Sequence, residues 1–357
     1  MESISQQKYI REDDIIFICG LYKCGTSWLL QALSKYSQAV GLREIDLLKL
    51  THQANPPFKA FTKETILANI FGRNAWCRIP GQHLAGMHKE LKGKSATHYF
   101  EVLSQFKPKN CRSLQNRQYA PSELTVPLTF FFLLQEQAIE LINKLSAADS
   151  GKKVIRAFKE TYDLIIKYPY QLVLKGADQI VMLPLLKEAF PQSRKIVMLR
   201  DGRDAAISAF YYRKLQLEKS APWVGAMKEP LQLLKDWKGR AHKVLKAAQK
   251  NDLAVVRYED LLENFESQFG SILNWLNWDY STSEVETIKR SCSFEVQTGR
   301  KRGEGAKDVR RKGISGEWLG FFSAEEKDRA WDMAGDILRA FGYSRDGSVY
   351  SDFPGKI

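Results

Sequence analysis

The sequence predicts an α/β protein with a central parallel sheet flanked by helices. Short apolar runs rich in β-branched residues alternate along the chain with longer segments of helical periodicity. This alternation is typical of a parallel sheet that is covered on both faces. The longest apolar runs are too short to span a bilayer, and the first residues lack the basic-then-apolar pattern of a secretory signal.

The first strand and helix form a recognisable unit. "DDIIFICG" is apolar, β-branched and ends on Gly20, which predicts a buried strand. "TSWLLQALSKY" has apolar residues at helical spacing, and Thr26 or Ser27 can cap its start. Strand, glycine loop and helix in this order indicate a βα phosphate-binding unit.

Later segments repeat the pattern. Residues 50–150 are less regular and predict helices and loops inserted between strands. Three strand–helix pairs follow: "YQLVLKG" with "QIVMLPLLKEAF", "RKIVMLRDG" with "RDAAISAFYYRKLQLEK", and "DLAVVRYED" with "LLENFESQFGSILNWL". The last helix starts at a capping box of Ser323 and Glu326 and ends at Gly342, whereas the basic stretch 293–318 is expected to be irregular.

The net charge and the cysteine content indicate which partners and which cellular compartment suit the protein. The 357 residues carry a formal net charge of +13, which favours anionic partners such as a nucleotide, an acidic glycan, nucleic acid or an anionic membrane. The five cysteines are scattered and odd in number. We therefore expect neither a disulfide framework nor a metal site, and a reducing, cytoplasmic location.

The glycine loop departs from that of ATP and GTP enzymes. Gly20 and Gly25 have P-loop spacing, but Thr26 stands where the lysine belongs, and Lys23 lies inside the loop instead. The amides of residues 23–27 can still cradle an anion. Arg200 follows a strand where an acid would hold Mg²⁺, which suits a second anion better than a metal. Nearby Arg203 is expected to form a surface ion pair.

Three motifs together resemble those of the sulfotransferases that use 3′-phosphoadenosine 5′-phosphosulfate (PAPS). "LYKCGTSW" is similar to the family's 5′-phosphosulfate loop, "KIVMLRDGRDAAISAFYYR" to its 3′-phosphate element, and "RRKGISGEW" to its R-K-G-x-x-G-[DE]-W signature. "VVRYEDL" and "SFEV" also occur in the expected order. The resemblance covers residues 15–345, weakly between 45 and 165.

The resemblance implies a P-loop-like sulfotransferase architecture and one domain over residues 1–357. Within it, residues 15–40 would form the phosphosulfate loop unit. Residues 50–165 would form acceptor-side insertions, and residues 166–345 the 3′-phosphate-binding half.

The resemblance also implies a set of nucleotide contacts. Arg200, Ser208 and Arg311 would bind the 3′-phosphate. Trp28, Tyr258 and Phe294 would line the adenine, although Cys292 replaces a threonine that is common in the family. The full set is Tyr22, Lys23, Cys24, Gly25, Thr26, Ser27, Trp28, Arg200, Ser208, Tyr258, Phe294, Arg311, Lys312 and Gly313.

Lys23 is expected to act on the chemistry directly. It could contact the oxygen that bridges phosphorus and sulfur in PAPS, where negative charge grows as the S–O bond breaks. A cation there stabilises the transition state more than the ground state. Lys175, at the end of a predicted strand, could contact the sulfuryl oxygens.

The general base is left open by the sequence. The family's K-[ST]-H-x-P segment corresponds to "KGADQ", so Ala177 stands at the histidine position. Asp178 could act as base or only as a helix cap. His98 and Glu101 are alternatives, and His83 and His88 lie in a loop-rich segment.

Together these observations predict a metal-independent, PAPS-dependent sulfotransferase acting on a hydroxyl of a small molecule, lipid or glycan. One alternative is a P-loop kinase or NTPase with a degenerate loop. Another is a polyanion-binding protein that uses "GRKRGEGAKDVRRK". No nucleic-acid motif accompanies this basic run, so nucleic acid is not an expected partner.

Overall fold

The structure is a computed structural model. It describes residues 12–36, 39–43, 171–175, 190–218, 227–250, 253–350 and 352–357, together with single positions between 140 and 187. Most of the predicted acceptor-side insertions therefore lie outside the described residues.

The chain divides into two compact units. The described residues of 12–16 and 33–193 belong to the first unit, and those of 17–32 and 194–357 to the second. The prediction of one domain stays a prediction.

Five strands form one sheet. They are β1 (Ile15–Gly20), β2 (Ala39–Arg43), β3 (Gln171–Lys175), β4 (Arg194–Leu199) and β5 (Ala254–Arg257), in the order β2-β3-β1-β4-β5. In the first unit β2 pairs with β3 in parallel, and in the second unit β4 pairs with β5 in parallel. The α/β class predicted from the sequence is confirmed.

The strands are buried because their sequences are nearly all apolar. All six residues of β1 are buried, as are all four of β5. Such runs need cover on both faces of a sheet, and helices provide it in α/β proteins.

The helices begin with α1 (Thr26–Leu33), which belongs to the second unit up to Ala32, and continue in that unit with α2 (Gly202–Glu218) and α3 (Pro230–Ala248). Next come α4 (Tyr258–Glu263), α5 (Phe265–Trp275), α6 (Thr282–Ser291) and α7 (Phe294–Thr298). The last two are α8 (Trp318–Phe321) and α9 (Ala324–Ala340). Helix α3 packs against both α2 and α9.

The sequence located most of these elements. The capping box of α9 is confirmed, with Ser323 accepting from the Glu326 amide and Glu326 accepting in return. The helix predicted over "LLENFESQFGSILNWL" is wrong as one element, because Asn264 leaves helical geometry (φ −128°, ψ 57°) and separates α4 from α5. The start of the basic stretch is helical, as α7, whereas residues 299–317 contain no helix or strand.

Candidate active site

The loop after β1 is built on two residues with positive φ. Lys23 has φ 64° and Gly25 has φ 87°. The Gly25 carbonyl accepts from the amides of Trp28 (2.9 Å) and Leu29 (3.1 Å), which starts α1. The helix begins at Thr26, so the expected cap position is filled by Gly25. The amides of Thr26 and Ser27 begin the helix and have no partner within it, and such amides at a helix N-terminus can bind anions.

Tyr258 supports this loop from below. A β-carbon on Gly25 would lie 2.7 Å from Tyr258 Cδ2, so the ring packs directly against the glycine. Tyr258 also meets the Trp28 ring edge-on, with ring centroids 5.7 Å apart. A side chain at position 25 would displace the Tyr258 ring.

The side chain of Lys23 turns toward the basic segment that precedes "RRKGISGEW". Its Nζ lies 3.4 Å from the main-chain oxygen of Val309 and 4.7 Å from the centroid of the Tyr212 ring. Tyr22 packs edge-on against the same ring at 5.7 Å. Residues 22 and 23 of the loop are thereby in contact with α2 and with residue 309.

Arg200 joins the loop to the third motif. It follows β4 directly, and its Nη2 donates to the main-chain oxygen of Ile314 (2.7 Å) while its Nη1 lies 3.4 Å from that of Lys23. The guanidinium lies 4.7 Å from the Tyr258 ring centroid. Its Nε is buried and has no hydrogen-bond partner among the described residues. The three motifs that resemble nucleotide-binding elements thus meet within the second unit.

Arg311 and Lys312 share one carboxylate. Both terminal nitrogens of Arg311 donate to Glu317, and Lys312 Nζ lies 2.9 Å from Glu317 Oε1. Burial alone would raise the pKa of Glu317, but the bonds from Arg311 and Lys312 outweigh it and hold that pKa below its ordinary value. Arg311 also lies over the Tyr211 ring (4.3 Å), and its buried Nε has no partner among the described residues.

Phe294 packs against the backbone between these cations and Ile314. Gly313 has φ 66°, and a β-carbon there would lie 2.5 Å from Phe294 Cδ2. The ring therefore depends on a glycine, as the Tyr258 ring does.

A cavity of about 580 Å³ opens beside Trp28. Leu262 and Phe265 give it an apolar wall, and Arg290 and Arg302 add positive charge. The Trp28 indole donates to the main-chain oxygen of Cys292 at 3.0 Å, which fixes the ring orientation. Phe294 does not line this cavity.

The remaining predicted contacts are placed as follows. Cys24 is fully buried, and burial raises the pKa of its thiol to about 12, so the sulfur stays neutral. Thr26 and Ser27 occupy the first turn of α1, and Ser27 is exposed. Ser208 is half-buried on α2, one turn beyond Asp204 and on the same helix face.

The catalytic candidates are less completely placed. Lys175 ends β3 in the first unit, and only 4% of the residue is exposed, so it is not a surface strand end. Asp178 and the alternatives His98, Glu101, His83 and His88 lie outside the described residues. All of their roles stay predictions.

The expected surface pair of Arg203 is wrong. Arg203 is 1% exposed and binds both carboxylate oxygens of Asp201, with its Nη2 2.7 Å from Oδ2. Its guanidinium also lies 3.5 Å from the Trp318 ring centroid and donates to the main-chain oxygen of Ser344. Arg203 and Asp201 therefore form a buried structural pair. The sequence could not show this burial, because a spacing of two residues is the same in an exposed pair and in a buried pair.

Asp204 is a site residue that the sequence did not reveal. Its Oδ2 accepts from the Gly316 amide (2.6 Å) and its Oδ1 from the Trp318 amide (3.0 Å). Its Oδ2 also lies 3.7 Å from Arg200 Nη2. Burial raises the pKa of Asp204, although Arg200 and the two amides favour the charged form.

Glu259, on α4, is a second buried carboxylate and interacts electrostatically with Arg200. Glu259 accepts from the Asp201 amide (3.1 Å) and from the Tyr343 hydroxyl (2.9 Å). Burial, more than the charge of Asp201, raises the pKa of Glu259 to about 7, while Arg200 opposes the rise. This acid therefore titrates in the neutral range.

Comparison with known proteins decides the family. A family model described as "Sulfotransferase family" matches residues 14–282. This chain belongs to the sulfotransferase family. Sulfuryl transfer is therefore its class of chemistry. The match includes the loop and Arg200, whereas Phe294 and residues 311–313 lie beyond it.

A solved structure with a TM-score of 0.50 shows the same fold. The sulfotransferase domain of the olefin synthase from Synechococcus PCC 7002 is 14% identical, has a TM-score of 0.50, and is covered over 92% of this chain and 94% of its own. A mouse sulfotransferase complexed with PAP is 20% identical with a TM-score of 0.39, covering 48% of this chain and 67% of its own. Retinol dehydratase in complex with androsterone and PAP is 13% identical with a TM-score of 0.43, and the match covers 93% of this chain and 82% of that chain. A search of curated proteins gives no match.

The described residues contain no helix that is both long enough and apolar enough to cross a membrane. They also contain no group of three or more His, Cys, Asp or Glu side chains that could hold a metal ion. Metal independence and cytoplasmic location stay predictions.

Proposed function

We propose that this sulfotransferase uses PAPS as donor and transfers its sulfuryl group to a hydroxyl of an acceptor, releasing adenosine 3′,5′-bisphosphate (PAP). The observation that carries the proposal is the position of Arg200, whose guanidinium contacts the main chain of both Lys23 and Ile314. Because Arg200 contacts both the loop and the third motif, these two elements lie close enough to bind the two charged ends of one ligand.

The residues present fit such a nucleotide. Buried Nε atoms of Arg200 and Arg311 have no acceptor among the described residues, and a buried N–H without a partner costs free energy that an anion would recover. At the other end, the loop amides at the start of α1 suit the 5′-phosphosulfate. Trp28, with the cavity beside it, offers an aromatic wall for the adenine.

Lys23 would assist the bond that breaks. In the reaction the sulfur–oxygen bond to the 5′-phosphate breaks, a bond forms from sulfur to the acceptor oxygen, and the acceptor proton passes to a base. Negative charge develops on the oxygen left on the phosphate, where an ammonium group lowers the barrier. The Lys23 ammonium group would leave the main-chain oxygen of Val309 and bind this phosphate oxygen instead, since its present contact of 3.4 Å is long and weak.

Calorimetric titration of the full chain tests the donor. PAP is expected to bind at least about tenfold more tightly than AMP, a difference of about 1.4 kcal/mol, because only PAP reaches both cation sites. ADP and ATP, with and without Mg²⁺, test the kinase alternative, and heparin tests general polyanion binding. Equal affinity for PAP and AMP would refute the proposed 3′-phosphate site.

A turnover assay tests the acceptor class. The chain is incubated with PAPS and panels of phenols, sterols, alkyl alcohols and sugars, and both the sulfate ester and PAP are quantified. Ester and PAP should form in equal amounts with at least one hydroxyl class. Release of PAP without any ester would point to hydrolysis instead.

A further inference from the structure

Asp204 binds two main-chain amides of the third motif and lies beside Arg200. It accepts from the amides of Gly316 and Trp318 at 2.6 and 3.0 Å, and it lies 3.7 Å from Arg200. None of its side-chain surface is exposed. A buried carboxylate that accepts two main-chain amides fixes the path of the chain that carries them.

The same segment is held from its other side by Arg200, which donates to the Ile314 oxygen at 2.7 Å. Residue 314 is therefore bonded to Arg200, two residues before α2, and residues 316 and 318 are bonded to Asp204 on α2. Arg311 and Lys312 precede this fixed stretch by three and two residues, and both are bonded to Glu317 within it. Their approach to a ligand depends on where residues 314–318 are held.

Together these contacts lead us to infer that Asp204 is a positioning residue for the 3′-phosphate. It does not touch the nucleotide but holds segment 314–318 so that Arg311 and Lys312 reach the same phosphate as Arg200. This inference rests on the proposed function.

Asparagine at position 204 gives a sharp test because it keeps the size and loses one acceptor. The Gly316 and Trp318 amides bind different oxygens of Asp204, and the asparagine side chain has an oxygen at only one of these two positions, so at most one of the two bonds can survive in its present geometry. It also removes the negative charge beside Arg200. If Asp204 were only a counter-charge for Arg200, Asp204→Asn would free that arginine and raise PAP affinity.

The experiment compares PAP and AMP binding by calorimetry in the full-length wild type, Asp204→Asn and a control. The control is Asp260→Asn, the same change in another ion pair of the second unit, whose partner Arg257 is 2% exposed. We expect Asp204→Asn to lower the PAP-to-AMP preference by about tenfold or more with AMP affinity unchanged. Asp260→Asn should leave the preference as in the wild type.

Each result has one meaning. An Asp204→Asn variant that keeps or increases the preference for PAP overturns the positioning role while leaving the proposed donor intact. A wild type without any preference for PAP overturns the proposed 3′-phosphate site and this inference with it.

Hydrogen exchange of the wild type covers the case in which Asp204→Asn does not fold. The amides of Gly316 and Trp318 should exchange slowly without nucleotide, because Asp204 already binds them. Exchange as fast as that of the exposed residue Lys307 would overturn the inference.

Discussion

Glu317 accepts hydrogen bonds from both terminal nitrogens of Arg311. Its carboxylate therefore neutralises the guanidinium that is expected to bind the 3′-phosphate. Lys312 contacts the same carboxylate at 2.9 Å. A carboxylate thus stands where the ligand phosphate would be attracted, and only Nε of Arg311 is left without a partner among the described residues.

Replacing Glu317 by glutamine is expected to increase PAP affinity about threefold, because a negative charge beside the phosphate is removed while the side chain keeps an acceptor. AMP affinity should not change, since AMP has no 3′-phosphate. Titration calorimetry measures both. A loss of PAP affinity would mean that Glu317 orients Arg311 rather than competing with its ligand.

Lys23→Ala is expected to lower turnover about 100- to 1000-fold, the effect of removing one group that stabilises developing charge. PAP affinity should fall much less, because the loop amides and Arg200 remain. Single-turnover kinetics with PAPS separates the two effects. Lys301→Ala, a change at an exposed lysine of the basic stretch, is the control and should keep wild-type turnover.

Gly25→Ala is expected to destabilise the protein by about 1–3 kcal/mol, because φ 87° disfavours any side chain and the new carbon would lie 2.7 Å from Tyr258. The Tyr258 ring would have to move, and nucleotide affinity should fall with it. Urea unfolding measures the free energy of unfolding, and calorimetry measures the nucleotide affinity.

The matched change is Gly239→Ala. Gly239 lies within α3 and its added carbon would meet no atom within 4 Å. Alanine there should stabilise the protein by about 0.5–1 kcal/mol, because glycine is the weaker helix former. Equal losses at both glycines would contradict the role assigned to Gly25.

Glu259 should make the stability depend on pH in the neutral range. Its pKa is about 7 in the folded protein, above the ordinary value of 4.5, so the native state binds more protons between these values. The free energy of unfolding should therefore fall as pH rises from 5 to 7, by up to about 1.4 kcal/mol per pH unit from this group. The fall should level off above pH 7.

Urea unfolding at several pH values, compared with Glu259→Gln, isolates this contribution. The variant cannot titrate and should lack the slope. Glu266→Gln is the control, because Glu266 is exposed and its pKa is already lowered by Lys289. Parallel curves for wild type and Glu259→Gln would exclude Glu259 as the source.

The sequence predicted the parts of the site whose signals are local. Gly20, Lys23 and Gly25 lie within six residues, and Arg200 follows an unmistakable apolar strand. The structure places Arg200 in contact with the loop and with Ile314, as expected if these motifs share one ligand.

Asp204 could not be found in this way because its partners are main-chain amides more than 100 residues away, which carry no side-chain signal. Strand β2 was missed since "AVGLR" contains a glycine and a charge, and β3 supplies the pairing that makes it a strand. Helix α4 ends at Asn264 although the apolar pattern continues, because periodicity does not record a local turn of the backbone.

At position 23, conformational stability favours glycine, whereas the proposed chemistry requires the lysine side chain. At φ 64° a lysine carries a conformational penalty of about 1–2 kcal/mol that glycine would not. A library screened only for survival of heating would therefore reward Lys23→Gly, and the hardiest clones would be the ones that had discarded the ammonium group.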